Sequence, residues 1–333
     1  GPRDALLALL SSCARPATSL TARNVLCLHE SLKCAKFLAT VLRASWHPVL
    51  ATLQAVDDVV QQMGSSSSSS SSGGVYTIVM PAALGGSAAD LLRHDLQALL
   101  DLVRRAGPGA YLWVARALAM LGSSVSGAPV PSDISDVFAE QDATPASDRP
   151  AFALAQLRAL VVTTGDGDNA GDAVLMDCEA WRMITQHLLA TAAFADTPAP
   201  IRSQACSSLA DIVLTAMDLV ARSDVLEGED GERFRRLVES GDAQRRVISP
   251  LAQLMTGDIA GYDEPDRSRF KRLIEVRRVA LDTLHRLLQA AGHSVKQAWG
   301  VVFDIVQSVF DVQDDDAESA KQPGLLMRGV FPC

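Results

Sequence analysis

The stretch of the sequence closest to a metal-binding motif is GDGDNAGDAVLMD, at 165–177. With Asp166 at the first ligand position of a calcium loop, Asp168 takes the third and Asp177 the twelfth. The fifth position is Ala170, however, and the twelfth lacks the bidentate glutamate of such loops. We therefore favour a polar turn between two helices over a calcium site.

Other residue types that perform chemistry are not spaced as catalytic or metal motifs. The six histidines form no HExxH pair and the six cysteines no CxxC pair. The sequence also contains no P-loop and no GxSxG nucleophile motif. We predict a non-enzymatic protein without a cofactor. Cysteines within apolar helical patterns indicate buried, reduced thiols, which are typical of the cytosol.

Basic side chains cluster in the C-terminal third of the chain. One interpretation, which we favour, is a solvated helix face with weak surface ion pairs. The other is a surface for an acidic protein partner or an anionic membrane. The net charge of −9 argues against nucleic-acid binding. The candidate residues are Arg233, Arg235, Arg236, Arg245, Arg246, Lys271, Arg272, Arg277 and Arg278.

Apolar residues recur at helical spacing along most of the chain, and the composition is rich in Ala, Leu and Val. About a dozen helices in pairs predict an all-α fold, an α-solenoid of armadillo/HEAT-like hairpins. We expect no membrane span. The opening Gly1-Pro2 resembles the remnant of a cleaved tag, so we expect a segment of a longer protein.

Two low-complexity stretches interrupt the helical pattern. We predict flexible loops at 64–74, which holds eight consecutive serines, and at 123–149. The helical-repeat segment is expected to span 1–312, and an acidic, extended tail 313–333. In the second half, helical patterns cover 150–164, 174–195, 199–222, 230–239, 243–256, 267–291 and 294–312.

One helical pattern occurs twice, some 250 residues apart. When Trp46 is aligned with Trp299, Val49 falls on Val302, Leu50 on Phe303, Leu53 on Val306, Gln54 on Gln307 and Val56 on Val309. The i, i+3, i+4, i+7 spacing is that of a helix packed on a partner. We predict that Trp46 and Trp299 are both structural packing residues.

Each tryptophan follows a long amphipathic helix, in LTARNVLCLHESLKCAKFLATVLRASWHPVLATLQAVDDVV and in EVRRVALDTLHRLLQAAGHSVKQAWGVVFDIVQSVFD. These segments resemble the helical repeats of large Arf guanine-nucleotide exchange factors. The first is more similar to the monensin-sensitivity protein family of Golgi and endosomes, which lacks the catalytic exchange domain. The stretch TPAPIRSQACSSLADIVLTAM fits the same armadillo-like helices.

The resemblance implies a scaffold in Golgi–endosome membrane trafficking. It implies a cytoplasmic protein, peripheral on Golgi, trans-Golgi and endosome membranes. Dopey is the first protein partner to expect, and Arf-like small GTPases and anionic lipid are further candidates. Two alternatives stay open: a peripheral membrane-binding module acting through the basic residues, and, more weakly, a regulatory part of an Arf exchange factor.

Overall fold

The computed structural model describes residues 2–16, 20–66, 88–105, 108–126, 152–162, 175, 177–194, 196–223, 228–256 and 267–309. Within these ranges every regular element is a helix, and twelve are α-helices. The all-α prediction is confirmed. The chain divides into two compact units and passes from the first to the second near residue 160.

The first unit is built around three helices that pack on one another. They are α1 (Pro2–Ala14), α2 (Ala22–Phe37) and α3 (Trp46–Ser66). Apolar periodicity indicated α2 and α3, whereas α1 was not predicted. A capping box starts α2: the Thr21 hydroxyl oxygen accepts from the Asn24 amide, and the Asn24 side chain accepts from the Thr21 amide.

Three further helices of the first unit are described. They are α4 (Ala88–Arg105), α5 (Pro108–Ser126) and α6 (Phe152–Val161). α4 packs on α2 and α3. A polar cluster joins α2 to α4, because Asp95 accepts from Lys36 Nζ and lies beside His29 Nδ1, both at 3.1 Å. Partial burial raises the pKa of Asp95, but these two partners outweigh burial and hold it below its usual value.

The end of α6 is fixed by side chains from α4 and α5. The guanidinium of Arg104 donates to the carbonyl oxygens of Ala159 and Leu160, and the Tyr111 hydroxyl also donates to Leu160. The last carbonyls of a helix lack partners within the helix. Arg104 and Tyr111 satisfy two of them inside the core, where both side chains are buried.

Two helices of this unit extend further than the sequence predicts. α3 continues through Gly64 to Ser66, and α5 continues past Gly122 to Ser126. The first residues of the predicted loops at 64–74 and 123–149 are therefore helical. A single glycine costs a helix only about 1 kcal/mol, which is too little to end it. The rest of both loops and the tail at 313–333 lie outside the described residues.

In the part of the second unit that the structure describes there are six α-helices, and most of their bounds agree closely with the apolar pattern. They are α7 (Cys178–Ala193), α8 (Ala199–Ala221), α9 (Gly228–Glu239), α10 (Asp242–Thr256), α11 (Arg267–Ala291) and α12 (Trp299–Gln307). α12 is shorter than the predicted 294–312. α11 ends at Ala291, so Gly292 follows it, as predicted, and begins a short 3₁₀ turn to Ser294.

Two helices, α8 and α10, form the centre of this unit. α8 packs on α7, α10 and α11, and α10 also packs on α7, α9, α11 and α12. Among the described helices, α8 alone is long and apolar enough to span a membrane. Most of its apolar window is buried by its neighbours, which is the normal state of a core helix.

Candidate functional site

The two helices that share the tryptophan pattern begin in the same way. Trp46 is the first residue of α3, and Trp299 is the first residue of α12. Val49 and Val56 are buried in α3, and their counterparts are also buried, Val302 in α12 and Val309 just after it. The repeated pattern therefore corresponds to the same buried face in both helices, which we call the inner face.

The inner face of α3 is directed towards α1. The Thr52 hydroxyl lies 3.5 Å from the carbonyl oxygen of Ser11, a residue of α1. Ile305 occupies the matching position in α12, is fully buried, and belongs to the helix that packs on α10. α10 thus supports α12 in the way that α1 supports α3.

The adjacent apolar face of the helix differs between α3 and α12. Trp46, Leu50 and Leu53 are fully buried in α3, which packs on α1, α2 and α4. Their counterparts in α12 are exposed: Trp299 by 39%, Phe303 by 64% and Val306 by 43%. We call Trp299, Phe303 and Val306 the α12 stripe.

Trp46 and Trp299, both predicted to be structural packing residues, differ in burial, because Trp46 is fully buried and Trp299 is 39% exposed. Trp299 lies at the edge of the fold, where its indole nitrogen donates to the Val295 carbonyl oxygen at 2.8 Å. Its ring packs on Phe303, with ring centroids 5.8 Å apart. The physical reason is that the spacing of apolar residues along the helix determines its inner face. The burial of Trp299 depends instead on which neighbouring helices cover it.

Hydrogen bonds from α10 position the turn before α12. Gln244, which is buried, accepts from the amides of Lys296 and Gln297 at 2.9 and 3.1 Å and donates to the Ser294 carbonyl at 2.8 Å. Gln297 in turn donates to the Glu239 carbonyl. Gly241 has a φ of +76°, and a side chain there would collide with Gln297. Gln244 therefore fixes where α12 begins.

The basic residues of α9 and α10 do not all face solvent. Arg233, Arg236 and Arg245 are exposed, and Arg235 is half-buried. Arg245 lies 3.4 Å from Asp242 of its own helix.

Arg246 forms hydrogen bonds that join parts of the second unit. Its guanidinium donates to the Leu175 carbonyl at 2.6 Å, while its own carbonyl accepts from the Trp181 indole at 3.1 Å. These bonds tie α10 to α7 and to the residues before it. We therefore remove Arg246 from the candidate binding surface.

The basic residues of α11 alternate with acidic ones. Lys271 and Arg278 are exposed, as are Glu275 and Asp282, and Arg278 lies 3.7 Å from Asp282. Arg272 and Arg277 are half-buried. Together with Arg233 and Arg235 they take part in polar or electrostatic interactions. This mixed charge is typical of a solvated helix face.

The acidic stretch at 165–177 contributes a helix cap. Asp177 precedes α7, and its carboxylate accepts from the amides of Glu179 and Ala180 at 3.0 and 3.2 Å. This is the N-cap role that aspartate favours. The other candidate calcium ligands lie outside the described residues. Within the described ranges, no group of three or more His, Cys, Asp or Glu residues could hold a metal ion.

Two titratable side chains are buried in the second unit. Burial lowers the pKa of His187 to about 4, and its Nε2 has no hydrogen-bond partner among the described residues. Burial raises the pKa of Cys206 to about 11, so this thiol is protonated and unreactive at neutral pH. Both side chains line a core.

The exposed apolar side chains of α1 and α12 were not predicted from the sequence. On α1, Leu6 is 51% exposed and Leu9 is 61% exposed. The available signal was the sequence from Ala5 to Ala14, ALLALLSSCA, which carries no charged side chain.

Comparisons with protein-family models, with curated proteins and with solved structures find no match to this chain.

Proposed function

We propose that the chain is a non-enzymatic scaffold segment built as an armadillo/HEAT-like solenoid. In this proposal it recruits a protein partner during Golgi–endosome membrane trafficking and supports Arf-like GTPase pathways. It acts in the cytoplasm, at the surface of Golgi, trans-Golgi and endosome membranes. Dopey is the first partner to test.

The packing order in the second unit is the observation that carries this proposal. α7 and α8 pack on each other, α10 and α11 pack on each other, and α8 contacts both members of the second pair. Successive helix pairs that stack in this way bury one continuous core, which is how armadillo and HEAT solenoids are built. The resemblance of the two tryptophan segments supports the trafficking role and the partner.

A pull-down of Dopey with the chain of residues 1–333 tests the partner. We expect retention of Dopey by this chain and its loss when exposed contact residues are charge-reversed. Arg236→Glu with Lys271→Glu is the variant for the basic surface. Arg105→Glu with Arg158→Glu, on exposed residues of α4 and α6, is the control with the same charge change.

Loss of Dopey only in the first variant would assign the interface to α9 and α11. Equal retention by both variants would exclude these basic residues as the contact. If Dopey bound none of the three proteins, it would be excluded as the partner of this chain.

The membrane alternative has less support. Exposed acidic residues interleave with Lys271 and Arg278 on α11, and the half-buried Arg246 donates to the Leu175 carbonyl. Flotation with liposomes that contain or lack phosphatidylinositol phosphate tests this alternative. Binding that requires the phosphoinositide, weakens with salt and is lost in the Arg236→Glu, Lys271→Glu variant would favour it. We expect no flotation.

A further inference from the structure

In the part of the chain that the structure describes, large apolar side chains are exposed on α1, on α2 and just after it, and on α12. The exposed leucines of α1 lie between Asp4 and Arg15 in the sequence. Those of α2 are separated by Glu30 and Lys33, which form an ion pair at 2.8 Å. Both groups therefore have charges of both signs beside them. The α12 stripe has different surroundings.

Negative charge is concentrated at the C-terminal end of the α12 stripe. Asp304 is exposed beside Phe303. Five more acidic residues follow in the sequence up to Glu318, and no basic residue comes before Lys321. The C-terminal end of a helix dipole is itself negative. The exposed Lys296 lies at the opposite end, before the stripe begins. An occupant with positive charge near Asp304 is therefore favoured.

Comparison with α3 indicates what kind of element fits the α12 stripe. Its residues correspond to Trp46, Leu50 and Leu53, which are fully buried in α3. α3 packs on three other helices, α1, α2 and α4. The indole N–H of Trp299 already donates to the Val295 carbonyl, and an indole has no second donor. The stripe therefore offers apolar surface rather than hydrogen bonds, which favours the apolar face of a helix.

We infer that the α12 stripe binds an amphipathic helix of a partner protein, with its aliphatic face on the stripe and lysine or arginine side chains near Asp304. Helices recognised in this way present aliphatic side chains at i, i+3, i+4 and i+7. The aliphatic residues bury Trp299 and Phe303, and the basic residues meet the negative charge and accelerate the encounter. The same negative charge opposes binding to an anionic membrane.

This surface does not include the basic residues of α9 and α11 that the Dopey experiment tests. The inference therefore goes beyond the proposed function and does not depend on it. Loss of Dopey binding in the Arg236→Glu, Lys271→Glu variant and loss of helix binding in a variant of the α12 stripe are separate results.

A synthetic peptide serves as the probe for the partner helix. It has about 18 residues, or five helical turns, and consists of leucines at helical spacing and lysines elsewhere. Its fluorescein label reports binding to the chain of residues 1–333 by fluorescence anisotropy. Because a contact of a few side chains is small, we expect half-saturation at about 10 to 100 µM chain. A peptide with glutamate at every lysine position should bind at least about tenfold more weakly.

Phe303→Gln with Val306→Gln removes apolar surface from the α12 stripe. Both side chains are exposed, so the core is not disturbed. We expect the lysine peptide to bind this variant at least about tenfold more weakly, because apolar burial supplies most of the affinity. Leu6→Gln with Leu9→Gln makes the same kind of change on exposed residues of α1 and is the control. It should bind the peptide like the parent chain.

A charge variant tests the negative end of the α12 stripe. It carries Asp304→Asn, Asp314→Asn and Asp315→Asn. Binding of the lysine peptide should weaken by about threefold, and its loss between about 50 and 500 mM salt should become smaller than in the parent chain. The control neutralises three exposed carboxylates elsewhere in the second unit and should bind like the parent: Asp218→Asn, Glu275→Gln and Asp282→Asn.

Three results would overturn the inference. A lysine peptide that the parent chain does not bind excludes a basic amphipathic helix as the occupant. Equal binding by the stripe variant and the α1 control places the peptide elsewhere. Equal binding of the lysine and glutamate peptides removes the role of charge. Thermal unfolding followed by circular dichroism confirms that each variant is folded.

Two further results would give the α12 stripe a different occupant. A parent dimer in sedimentation that is lost in the Phe303→Gln, Val306→Gln variant, together with no peptide binding, would assign the stripe to a second copy. Flotation of the parent chain with anionic vesicles of phosphatidylserine, lost in the same variant, would assign it to a membrane.

Discussion

His187 is a titratable residue enclosed in the core of the second unit. Burial lowers the pKa of its imidazole to about 4, against an ordinary value of 6.5. The folded state therefore keeps His187 neutral at pH values at which the unfolded chain binds a proton. As the pH falls from 6.5 to 4, protonation of the unfolded chain lowers the free energy of unfolding. Below pH 4 this loss no longer grows.

Each pH unit between the two pKa values changes the free energy of unfolding by about 1.4 kcal/mol, so His187 lowers it by roughly 3 kcal/mol between pH 7 and pH 4. We expect His187→Met to remove this loss. The measurement is the free energy of unfolding in urea at pH 7 and at pH 4, for the variant and for the parent chain. His285→Met, on an exposed residue of α11, is the control and should keep the parent's pH dependence. A difference between His187→Met and the parent that is the same at both pH values would contradict this account.

Trp46 and Trp299 should respond differently to the same substitution. Trp46 is fully buried, and replacing a large core aromatic with alanine costs about 3 to 5 kcal/mol. Trp299 is 39% exposed, so Trp299→Ala removes less buried surface and should cost less than Trp46→Ala. Urea unfolding of both variants measures the two costs. Equal costs would mean that Trp299 is covered in the protein.

Single residues show where sequence reasoning stops. The spacing around Trp46 and Trp299 correctly predicts an inner face, because that face depends only on helical periodicity. The exposure of Trp299 depends on which other helices reach its outer face, and no local pattern carries that information. The role of Asp177 as a helix cap follows more directly from the sequence than the exposure of Trp299 does, because aspartate before an apolar run is a local signal.

At the scale of helices, the hydrogen bonds of Gln244 are the main link between α10 and the start of α12. Gln244→Leu leaves the amides of Lys296 and Gln297 without their acceptor. We expect a loss of roughly 2 to 4 kcal/mol, because three part-buried backbone groups lose their partners. The measurement is the free energy of unfolding, together with hydrogen exchange of the α12 amides, which should become faster.

Gln253→Leu is the control for this prediction, since Gln253 is exposed on the same helix. It should change stability by less than about 0.5 kcal/mol. If both variants had equal exchange rates in α12, the link through Gln244 would not determine where that helix begins.

Helix bounds were predictable in much of the chain. The pattern at 267–291 coincides with α11, and the pattern at 243–256 lies within one residue of α10. These limits come from apolar periodicity and from helix-ending residues such as Gly292. α1 was missed because its apolar residues, within Ala5–Leu10, form one short run without a clear period.

At the scale of the whole molecule, the net charge of −9 opposes association between copies. Exposed apolar side chains such as Leu9 and Phe303, in contrast, favour association. Raising the salt concentration from about 50 to 500 mM screens the repulsion between copies and does not weaken apolar contacts. We therefore expect association of the parent chain, measured by sedimentation, to strengthen with salt. Weakening with salt would indicate a contact made through charged side chains.

The exposure of Trp299 also provides an optical probe at one end of the chain. The four tryptophans occupy different surroundings: Trp46 and Trp181 are buried, Trp113 is half-buried beside Arg116, and Trp299 is the most exposed. Emission from a buried indole lies at shorter wavelength, and a dissolved quencher such as iodide reaches it poorly. Quenching of the intact chain therefore reports chiefly on Trp299. A fall in quenching as the concentration rises would show directly that the indole has left the solvent.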